Sequence, residues 1–311
     1  MPPSARDGGH DDAVVRALVV GGSGFVGSHL VERLLADGFA VDVVDDLSTG
    51  SLANLADARA MGATLKIHHL DAGSTDFVSL VGMRAPDVVY HLAAVPRSDA
   101  AADLSRAFAA TASLVEAARA HRVPKLVLSV PASVLYGRPA NRDVPVKEAA
   151  IEPRGLRGVL ARAAVDMCAT IRESDAVEFT ALAVASVYGP RQRADGGAVA
   201  AFRAAAAAGV AGRITGDGRQ TRDFVFVDDV VDALVRAGQR GSGLVINIGT
   251  GEQTSIRDLW VGVAGPAAPE PEHVPARADE LHRFAVSPVR ARIHLGWSPW
   301  TSLADGLAQL R

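Results

Sequence analysis

The sequence predicts an α/β fold built on a doubly wound parallel sheet. Short apolar segments alternate along the chain with longer segments of helical spacing, which is the pattern of successive strand–helix units. Residues 14–20 form a continuous apolar run, typical of a strand that is buried on both faces of a parallel sheet. A glycine-rich turn then joins this run to a helical segment.

The elements follow from the same periodicities, taken in chain order. After the first strand we expect a helix over 26–36 and a second strand over 40–44. Further strands are predicted at 64–69, 88–91, 125–130, 179–184 and 244–248, and long helices at 102–121 and 160–174. Residues 1–12 are polar and glycine-rich, so we expect a disordered tail there.

Composition narrows the classes of function. The chain has 311 residues, of which 49% are hydrophobic and 22% charged, enough for one large domain or two unequal lobes. A net charge of -3 argues against nucleic-acid or membrane-surface partners. The single cysteine, Cys168, excludes an internal disulfide and a thiolate metal cluster, and no metal site is expected. The first residues lack a signal-peptide pattern, so we expect a cytoplasmic protein.

The turn after the first strand carries the strongest motif. Gly21, Gly24 and Gly27 form a Gly-x-x-Gly-x-x-Gly spacing between a strand and a helix. Glycine is needed where backbone turns with positive φ or approaches a pyrophosphate closely, and the following helix N-terminus favours phosphate. Asp45, at the end of the second strand, is placed to accept hydrogen bonds from a ribose, which favours NAD over NADP. Asp71 is left with two readings, an adenine contact or a helix cap.

These motifs carry a family resemblance. Segments 21–30, 45–50 and 91–94, together with 187–192, 216–230, 247–251 and 295–299, are similar to the extended short-chain dehydrogenase/reductases. The branch resembled is the NAD-dependent epimerase/dehydratase family of the UDP-glucose 4-epimerase-like type. The resemblance implies NAD as cofactor, a nucleoside-diphosphate sugar as partner and a homodimer formed through the helices around 107–120 and 160–171.

The resemblance also implies a division of the chain. A Rossmann-type NAD-binding domain over 13–186, to which the chain returns around 224–262, would be joined by a smaller C-terminal substrate-binding lobe of 187–223 and 263–311. Besides the residues above, the positions expected to line the cofactor are Phe25, Val26, Asp46, Ser48, Ala72, Leu92, Ala93 and Ala94.

Arginines are the implied ligands of the sugar diphosphate, because a guanidinium suits bidentate phosphate contacts. Arg222 and Arg277 match the family's diphosphate positions, and Arg219 is a weaker candidate. The alternative is that they are surface charges or partners of nearby aspartates. Ser186 stands where the family has an asparagine that touches substrate, which implies an altered pocket.

The family's catalytic pair is missing from the sequence. Its chemistry uses a tyrosine as acid or base and a lysine four residues later, which lowers the tyrosine pKa. With the register fixed by Pro153 and Gly158, those positions hold Arg157 and Ala161. The residues four places after the three tyrosines are Ala94, Ala140 and Gln192, so no Tyr-x-x-x-Lys exists in the chain.

The supporting catalytic positions have changed as well. The family's catalytic hydroxyl falls on Pro131 or Ala132, and the helix asparagine is Ala107. The catalytic residues are therefore unknown, with Tyr136, Ser133 and Arg157 as weak candidates, while Lys147 and Glu148 are interpreted as a solvated ion pair. We expect ordinary epimerisation to be absent or very slow. The alternatives are an active enzyme with relocated acid/base groups and a non-catalytic subunit of an active homologue.

Overall fold

The computed structural model describes residues 14–62, 64–148, 152–265, 268–276 and 280–310. In chain order the strands are β1 (Arg16–Val20), β2 (Ala40–Asp45), β3 (Leu65–His69), β4 (Val88–His91), β5 (Lys125–Pro131), β6 (Glu178–Val184), β7 (Ser186–Tyr188), β8 (Arg213–Thr215), β9 (Thr221–Arg222), β10 (Phe224–Phe226), β11 (Leu244–Ile248), β12 (Thr254–Ser255) and β13 (Glu272–Val274). The predicted tail over 1–12 lies outside the described residues.

The α-helices follow in chain order, and the first of them begins directly after the glycine-rich turn. They are α1 (Phe25–Ala36), α2 (Ala56–Ala60), α3 (Thr75–Arg84), α4 (Ala101–His121), α5 (Ala132–Leu135), α6 (Gly155–Asp175), α7 (Ala198–Ala207), α8 (Val227–Ala237), α9 (Ile256–Ala264), α10 (Val289–Leu295) and α11 (Leu303–Ala308).

Seven strands form one parallel sheet in the order β11-β6-β5-β4-β1-β2-β3. The order reverses between β1 and β4, because the chain runs outward from β1 to β3 and then returns to β4 on the other side. In open sheets of this kind, ligands bind at the carboxyl ends of the strands beside such a reversal. The predicted Rossmann-type α/β fold is confirmed.

Alternating side chains of the strands feed two cores, one on each face of the sheet. In β1, Ala17 and Val19 belong to one core and Leu18 and Val20 to the other, and all four are buried. Helices α1 and α8 pack together in one outer layer, while α4 packs on α3 and on α6 in the opposite one. This double burial explains why the sequence of β1 is apolar without interruption.

The helix bounds bear on the functional residues. The helix predicted over 160–174 begins earlier, at Gly155, so that Arg157 lies in its first turn. Helix α3 was not predicted, although Ser74 caps it by accepting a hydrogen bond from the N–H of Phe77 at 3.3 Å.

The smaller elements of the C-terminal part are three two-stranded pairs, β10 with β7, β12 with β9 and β13 with β8. Asp223 ties them to neighbouring loops, because its buried carboxylate accepts hydrogen bonds from Thr250, Gly251 and Val286. Burial raises the pKa of this carboxyl group, and the hydrogen bonds counteract that shift.

Within the described ranges, no helix combines the length and the apolar character that a membrane crossing requires. In the same part of the chain, no group of three or more histidine, cysteine or acidic side chains could hold a metal ion. Cys168 lies on α6 and is buried as a free thiol in the core.

Candidate functional site

The glycine-rich turn has the geometry of a phosphate cradle. Gly21 has a φ of 82°, a region that favours glycine, and a Cβ added to Gly27 would lie 2.1 Å from the Gly21 carbonyl oxygen. At Gly24 an added Cβ would meet that same backbone oxygen at 3.2 Å, which is a tight contact. Gly24 is also the N-cap of α1 and offers no side-chain cap, so the N–H groups of Phe25 and Val26 face the turn.

Asp45 closes the cradle on one side. One carboxylate oxygen accepts the N–H of Ser23 at 2.8 Å and the other accepts the N–H of Leu47 at 2.9 Å. Each oxygen keeps a further lone pair for a ribose hydroxyl. Burial raises the pKa of this carboxyl group and the two backbone hydrogen bonds lower it. Beneath the turn, the Ser23 hydroxyl is buried and has no hydrogen-bond partner among the described residues.

The remaining cofactor candidates lie around this edge of the sheet. Ser48 donates to Asp46 through its N–H at 2.9 Å and its hydroxyl at 2.6 Å. An added Cβ on Gly21 would lie 3.6 Å from Leu92 and Ala93, which places the 92–94 segment beside the turn. Ala72 and Ala94 are buried.

Asp71 organises the entry into α3. Its carboxylate accepts the N–H of Gly73 at 2.8 Å, and its carbonyl accepts the hydroxyl of Ser74 at 2.7 Å. These bonds form a turn just before the helix, whose N-cap is Ser74 and not Asp71. Asp71 is an exposed residue, so a contact with adenine stays a prediction.

Arg157 and Ala161 occupy the positions expected for the tyrosine and lysine. The Nε of Arg157 donates to the carbonyl of Pro96 at 2.7 Å, which joins the first turn of α6 to the loop after β4. Burial lowers the pKa of this guanidinium. Ala161 is fully buried, and Gly158 fits so closely that an added Cβ would lie 2.6 Å from the carbonyl oxygen of Val134. Helix α6 is thus packed tightly against α5.

Tyr136 is held inside the protein. Its phenol donates a hydrogen bond of 2.7 Å to Oδ1 of Asn247, and burial together with the charge of Glu148 raises its pKa. It is therefore neutral and already bonded at neutral pH. Ser133 is half-buried in the first turn of α5, directly after the end of β5. Of the three catalytic candidates, Tyr136 and Arg157 therefore each have a polar atom that is bonded within the fold.

The interpretation of Glu148 as half of a solvated ion pair with Lys147 was wrong. Its side chain is only 5% exposed and accepts the N–H of Asn247 at 3.0 Å. The Nε of Arg290 lies 3.7 Å from its other oxygen. Sequence patterns gave no signal for these contacts, because the partners are remote along the chain.

The arginines assigned to the diphosphate lie in different environments. Arg222 is mostly buried, donating to the carbonyls of Thr221 and Leu281 at 2.8 and 2.7 Å, with Glu280 at 3.8 Å. Arg219 is 90% exposed and pairs with Asp217 at 3.8 Å, which is the surface-charge alternative.

Arg277 and Ser186 are the remaining candidates for the sugar site. Arg277 lies outside the described residues. Ser186 begins β7 and donates its N–H to the carbonyl of Asp223 at 2.9 Å, which leaves its hydroxyl for other partners.

A further arginine, which the sequence analysis missed, joins the loop after β4 to the C-terminal part of the chain. Arg97 follows Pro96 in the loop after β4, and its Nη2 donates to the carbonyl of Asp195, in the segment between β7 and α7. The loop therefore contacts Arg157 on one side and the C-terminal part on the other. The only available signal was its place after the cofactor-lining 92–94 segment.

Comparison with known proteins assigns a family to this geometry. Residues 17–249 match the model of the NAD dependent epimerase/dehydratase family. The UDP-glucose 4-epimerase of Mycolicibacterium smegmatis is 41% identical over 309 residues, covering 95% of this chain and 97% of that protein.

Solved structures support the same family assignment. The UDP-glucose 4-epimerase of Thermotoga maritima, solved with UDP-glucose, aligns with a TM-score of 0.88 at 30% identity over 95% of this chain and 97% of that one. The Thermus thermophilus enzyme, solved with NAD, aligns at 0.84 and 28% identity over 94% and 96%. NAD, the cofactor expected from the sequence, is confirmed as the cofactor of this family.

Proposed function

Because the chain belongs to the NAD-dependent epimerase/dehydratase family, we propose that it binds NAD and a nucleoside-diphosphate sugar but lacks ordinary tyrosine-dependent epimerisation. The observation that carries this proposal is Arg157, which stands at the tyrosine position and bonds the carbonyl of Pro96. The neighbouring lysine position is the buried Ala161.

The residues present fit NAD. The closely packed glycine turn, the uncapped start of α1 and the two carboxylate oxygens of Asp45 suit a pyrophosphate and an adenosine ribose. Bound NAD supplies a hydride acceptor and donor to this family's chemistry. On the protein side, Phe25 and Val26 offer backbone N–H groups, while Leu92 and Ala93 line the opposite wall.

The nucleoside-diphosphate sugar is assigned to the cleft beside this edge. We assign Arg222 and Arg277 to the diphosphate and Ser186, at the start of β7, to the sugar. The similarity to UDP-glucose 4-epimerases supports uridine as the base. Buried Arg222 keeps its charge despite a lowered pKa, because a guanidinium titrates far above neutrality.

The proposed site lacks the family's usual acid and base groups for proton transfer. A positioned general acid or base contributes about 10²–10⁴-fold in rate, and a nearby lysine charge lowers the tyrosine pKa further. The guanidinium of Arg157 stays protonated and does not act as a base at neutral pH. Turnover by the usual route should fall by at least that factor.

Two alternatives are tested beside the main proposal. In the first, an active enzyme has moved its acid/base chemistry to Ser133, half-buried in the first turn of α5, with Arg157 orienting the substrate. In the other alternative the chain is a non-catalytic partner of an active homologue.

The main proposal and both alternatives are compatible with a dimer in the cytoplasm. Phe108 on α4 and Leu156 and Val159 on α6 are 50%, 62% and 58% exposed, although they are large and apolar. Because α4 and α6 pack against each other, these side chains belong to the helix pair that the family resemblance assigns to a dimer interface.

Proton NMR of the NAD-loaded protein with UDP-, dTDP- and GDP-hexoses tests the proposal. We expect saturation transfer to a nucleotide sugar without new anomeric signals. New signals would overturn the loss of activity and favour relocated chemistry, which Ser133→Ala and Arg157→Gln would then locate. No saturation transfer to any sugar nucleotide would overturn the binding function. An active 4-epimerase in parallel samples verifies the substrates.

A further inference from the structure

Arg191, in the loop after β7, joins two helices that lie beside the cofactor edge. Its Nη2 lies 2.8 Å from Oε1 of Glu32 on α1 and donates to the carboxylate of Asp57 on α2 at 3.0 Å. Its Nη1 donates to the hydroxyl of Ser28 on α1 at 3.4 Å. The Arg191 and Glu32 side chains are only 20% and 23% exposed, so water and salt screen this pair less than a pair on the open surface.

The backbone at Arg191 has a conformation that arginine seldom adopts. Its φ is 62°, in the left-handed region that favours glycine. Ala85, Arg122 and Ala176 also have a positive φ, but they directly follow α3, α4 and α6, where that conformation is common. Arg191 ends no helix, so the contacts of its side chain have to hold this conformation. Backbone strain held in this way is typical of ligand clamps and other functional loops.

The residues just before Arg191 fasten the same loop to the start of α1. The carbonyl of Pro190 accepts a hydrogen bond from Nε2 of His29 at 3.1 Å. A Cβ added to Gly189 would lie 3.5 Å from the ring of Phe25, which is the first residue of α1. The loop therefore packs along the first turns of the helix whose N-terminal N–H groups we assign to the pyrophosphate.

The 51–57 segment, which Arg191 holds at its α2 end, contacts the glycine-rich turn directly. The carbonyl of Ser23 in that turn accepts the N–H of Ser51 at 3.0 Å and Nδ2 of Asn54 at 2.9 Å. The N–H of Ser23 is bonded to the carboxylate that we assign to the adenosine ribose. Because Arg191 binds this segment only three residues after Asn54, it fixes the position from which the segment supports the turn.

We propose that Arg191 is a positioning residue for the cofactor. By joining α1 to the 51–57 segment, it keeps the glycine-rich turn in the shape that accepts the NAD pyrophosphate. Its guanidinium does not touch the cofactor and acts through Asn54 and Ser23. A turn that is already in its binding shape loses less conformational freedom when the ligand binds, which increases affinity. The inference rests on the proposed function, in which this turn binds NAD.

Calorimetric titration with NAD and with ADP-ribose tests this role. ADP-ribose has the pyrophosphate and the adenosine but no nicotinamide, so it isolates the half of the cofactor that the turn holds. Asparagine tolerates the left-handed backbone, so Arg191→Asn removes the guanidinium without adding strain. We expect this variant to bind both ligands about tenfold more weakly, and Arg191→Lys, which keeps the charge, to lose less. Unchanged affinities in Arg191→Asn would overturn the inference and leave the proposed function standing. A wild-type protein that binds neither ligand would overturn both.

A double variant separates positioning from a merely structural role. Asn54→Ala removes the support of the turn itself, so Arg191→Asn should then add little, and the double variant should bind NAD within about twofold of the weaker single variant. Losses that multiply would show independent effects and overturn the inference. The matched control is Arg33→Met, because Arg33 also lies on α1 and pairs with two carboxylates, those of Asp37 at 2.9 Å and Asp232 at 3.5 Å. It should bind NAD as the wild-type protein does, and an equal loss there would overturn the assignment to Arg191.

Discussion

The phenol of Tyr136 donates a 2.7 Å hydrogen bond to Oδ1 of Asn247, which joins the segment after β5 to the outermost strand of the sheet. The same asparagine donates through Nδ2 to the carbonyl of Val146 at 2.9 Å and through its backbone N–H to Glu148. Tyr136 is thus one member of a buried polar network that holds three segments together, and its role is structural.

Removal of that hydroxyl should reduce stability and leave ligand binding unchanged. Tyr136→Phe leaves Oδ1 of Asn247 buried without its donor, which costs about 1–3 kcal/mol of unfolding free energy. Urea unfolding measures the loss. Tyr188→Phe is the matched control, because its hydroxyl makes only 3.5 Å contacts with the carbonyls of Ser302 and Leu303. Loss of nucleotide-sugar binding by Tyr136→Phe at unchanged stability would contradict the structural role.

The glycine-rich turn should not tolerate a methyl group at Gly27. An added Cβ would lie 2.1 Å from the Gly21 carbonyl oxygen and 2.8 Å from Cα of Gly22, so the turn has to move. We expect Gly27→Ala to weaken NAD binding by about tenfold or more, measured by calorimetric titration. Gly262→Ala, in α9 with 3.3 Å to the nearest side-chain atom, should bind NAD normally. Unchanged affinity in Gly27→Ala would place NAD elsewhere.

Asp45 should govern both affinity for NAD and discrimination against NADP. Asp45→Ala removes the ribose acceptor and frees the N–H of Ser23, so NAD affinity should fall about 10- to 100-fold. The same change removes the negative charge that repels a 2′-phosphate, so the preference for NAD should narrow. Parallel titrations with both nucleotides measure this. Asp87→Ala, which removes a similar backbone acceptor from the N–H of Arg16, should leave both affinities unchanged.

His91 should make stability depend on pH. Its Nε2 donates to the hydroxyl oxygen of Thr111 at 3.0 Å, because that hydroxyl itself donates to the carbonyl of Ala107. Burial lowers its pKa to about 4 from an ordinary value of 6.5. The unfolded chain therefore binds the proton first as pH falls, and this contribution to stability is complete above pH 6.5 and is lost progressively toward pH 4.

The measurement compares the wild-type protein with His91→Gln, in which this titration is absent. Between pH 7 and pH 5 the wild-type protein should lose about 2 kcal/mol more unfolding free energy than the variant. Between pH 7 and pH 8 the two should change in parallel, since His91 is neutral in both states there. Equal losses between pH 7 and pH 5 would show that His91 is already charged in the folded protein.

The apolar surface of α4 and α6 should determine the oligomeric state. Leu156→Glu places a charge among exposed apolar side chains, and we expect light scattering to show a shift from dimer to monomer. Ile293→Glu, at a site that is 71% exposed on α10, is the control and should remain dimeric. A monomeric wild-type protein would contradict the proposed dimer.

The sheet and the cofactor edge could be predicted because both depend on local signals. Apolar runs identify parallel strands buried on both faces, and the Gly21 spacing followed by Asp45 has a stereochemical cause within a single strand–helix–strand unit. The assignment of Arg157 to the tyrosine position rests on the flanking residues that fix the register, and it stays a prediction.

The features that could not be predicted depend on contacts between residues that are remote along the chain. The burial of Glu148 requires a strand that lies 99 residues later, and Asp223 binds Val286 across 63 residues. No periodicity reports such pairs. The neighbourhood of Arg157 with Arg97 likewise follows only once α6 is docked against the loop after β4.

The position of β11 at the outer side of the sheet has a consequence during synthesis. Strand β6 ends at Val184, and the strand that pairs with it begins only at Leu244, after the intervening C-terminal elements have been made. Until then the backbone of β6 presents an unpaired row of N–H and C=O groups, a template for pairing with other chains. A nascent or truncated chain that stops before β11 is therefore expected to aggregate more readily than the full chain.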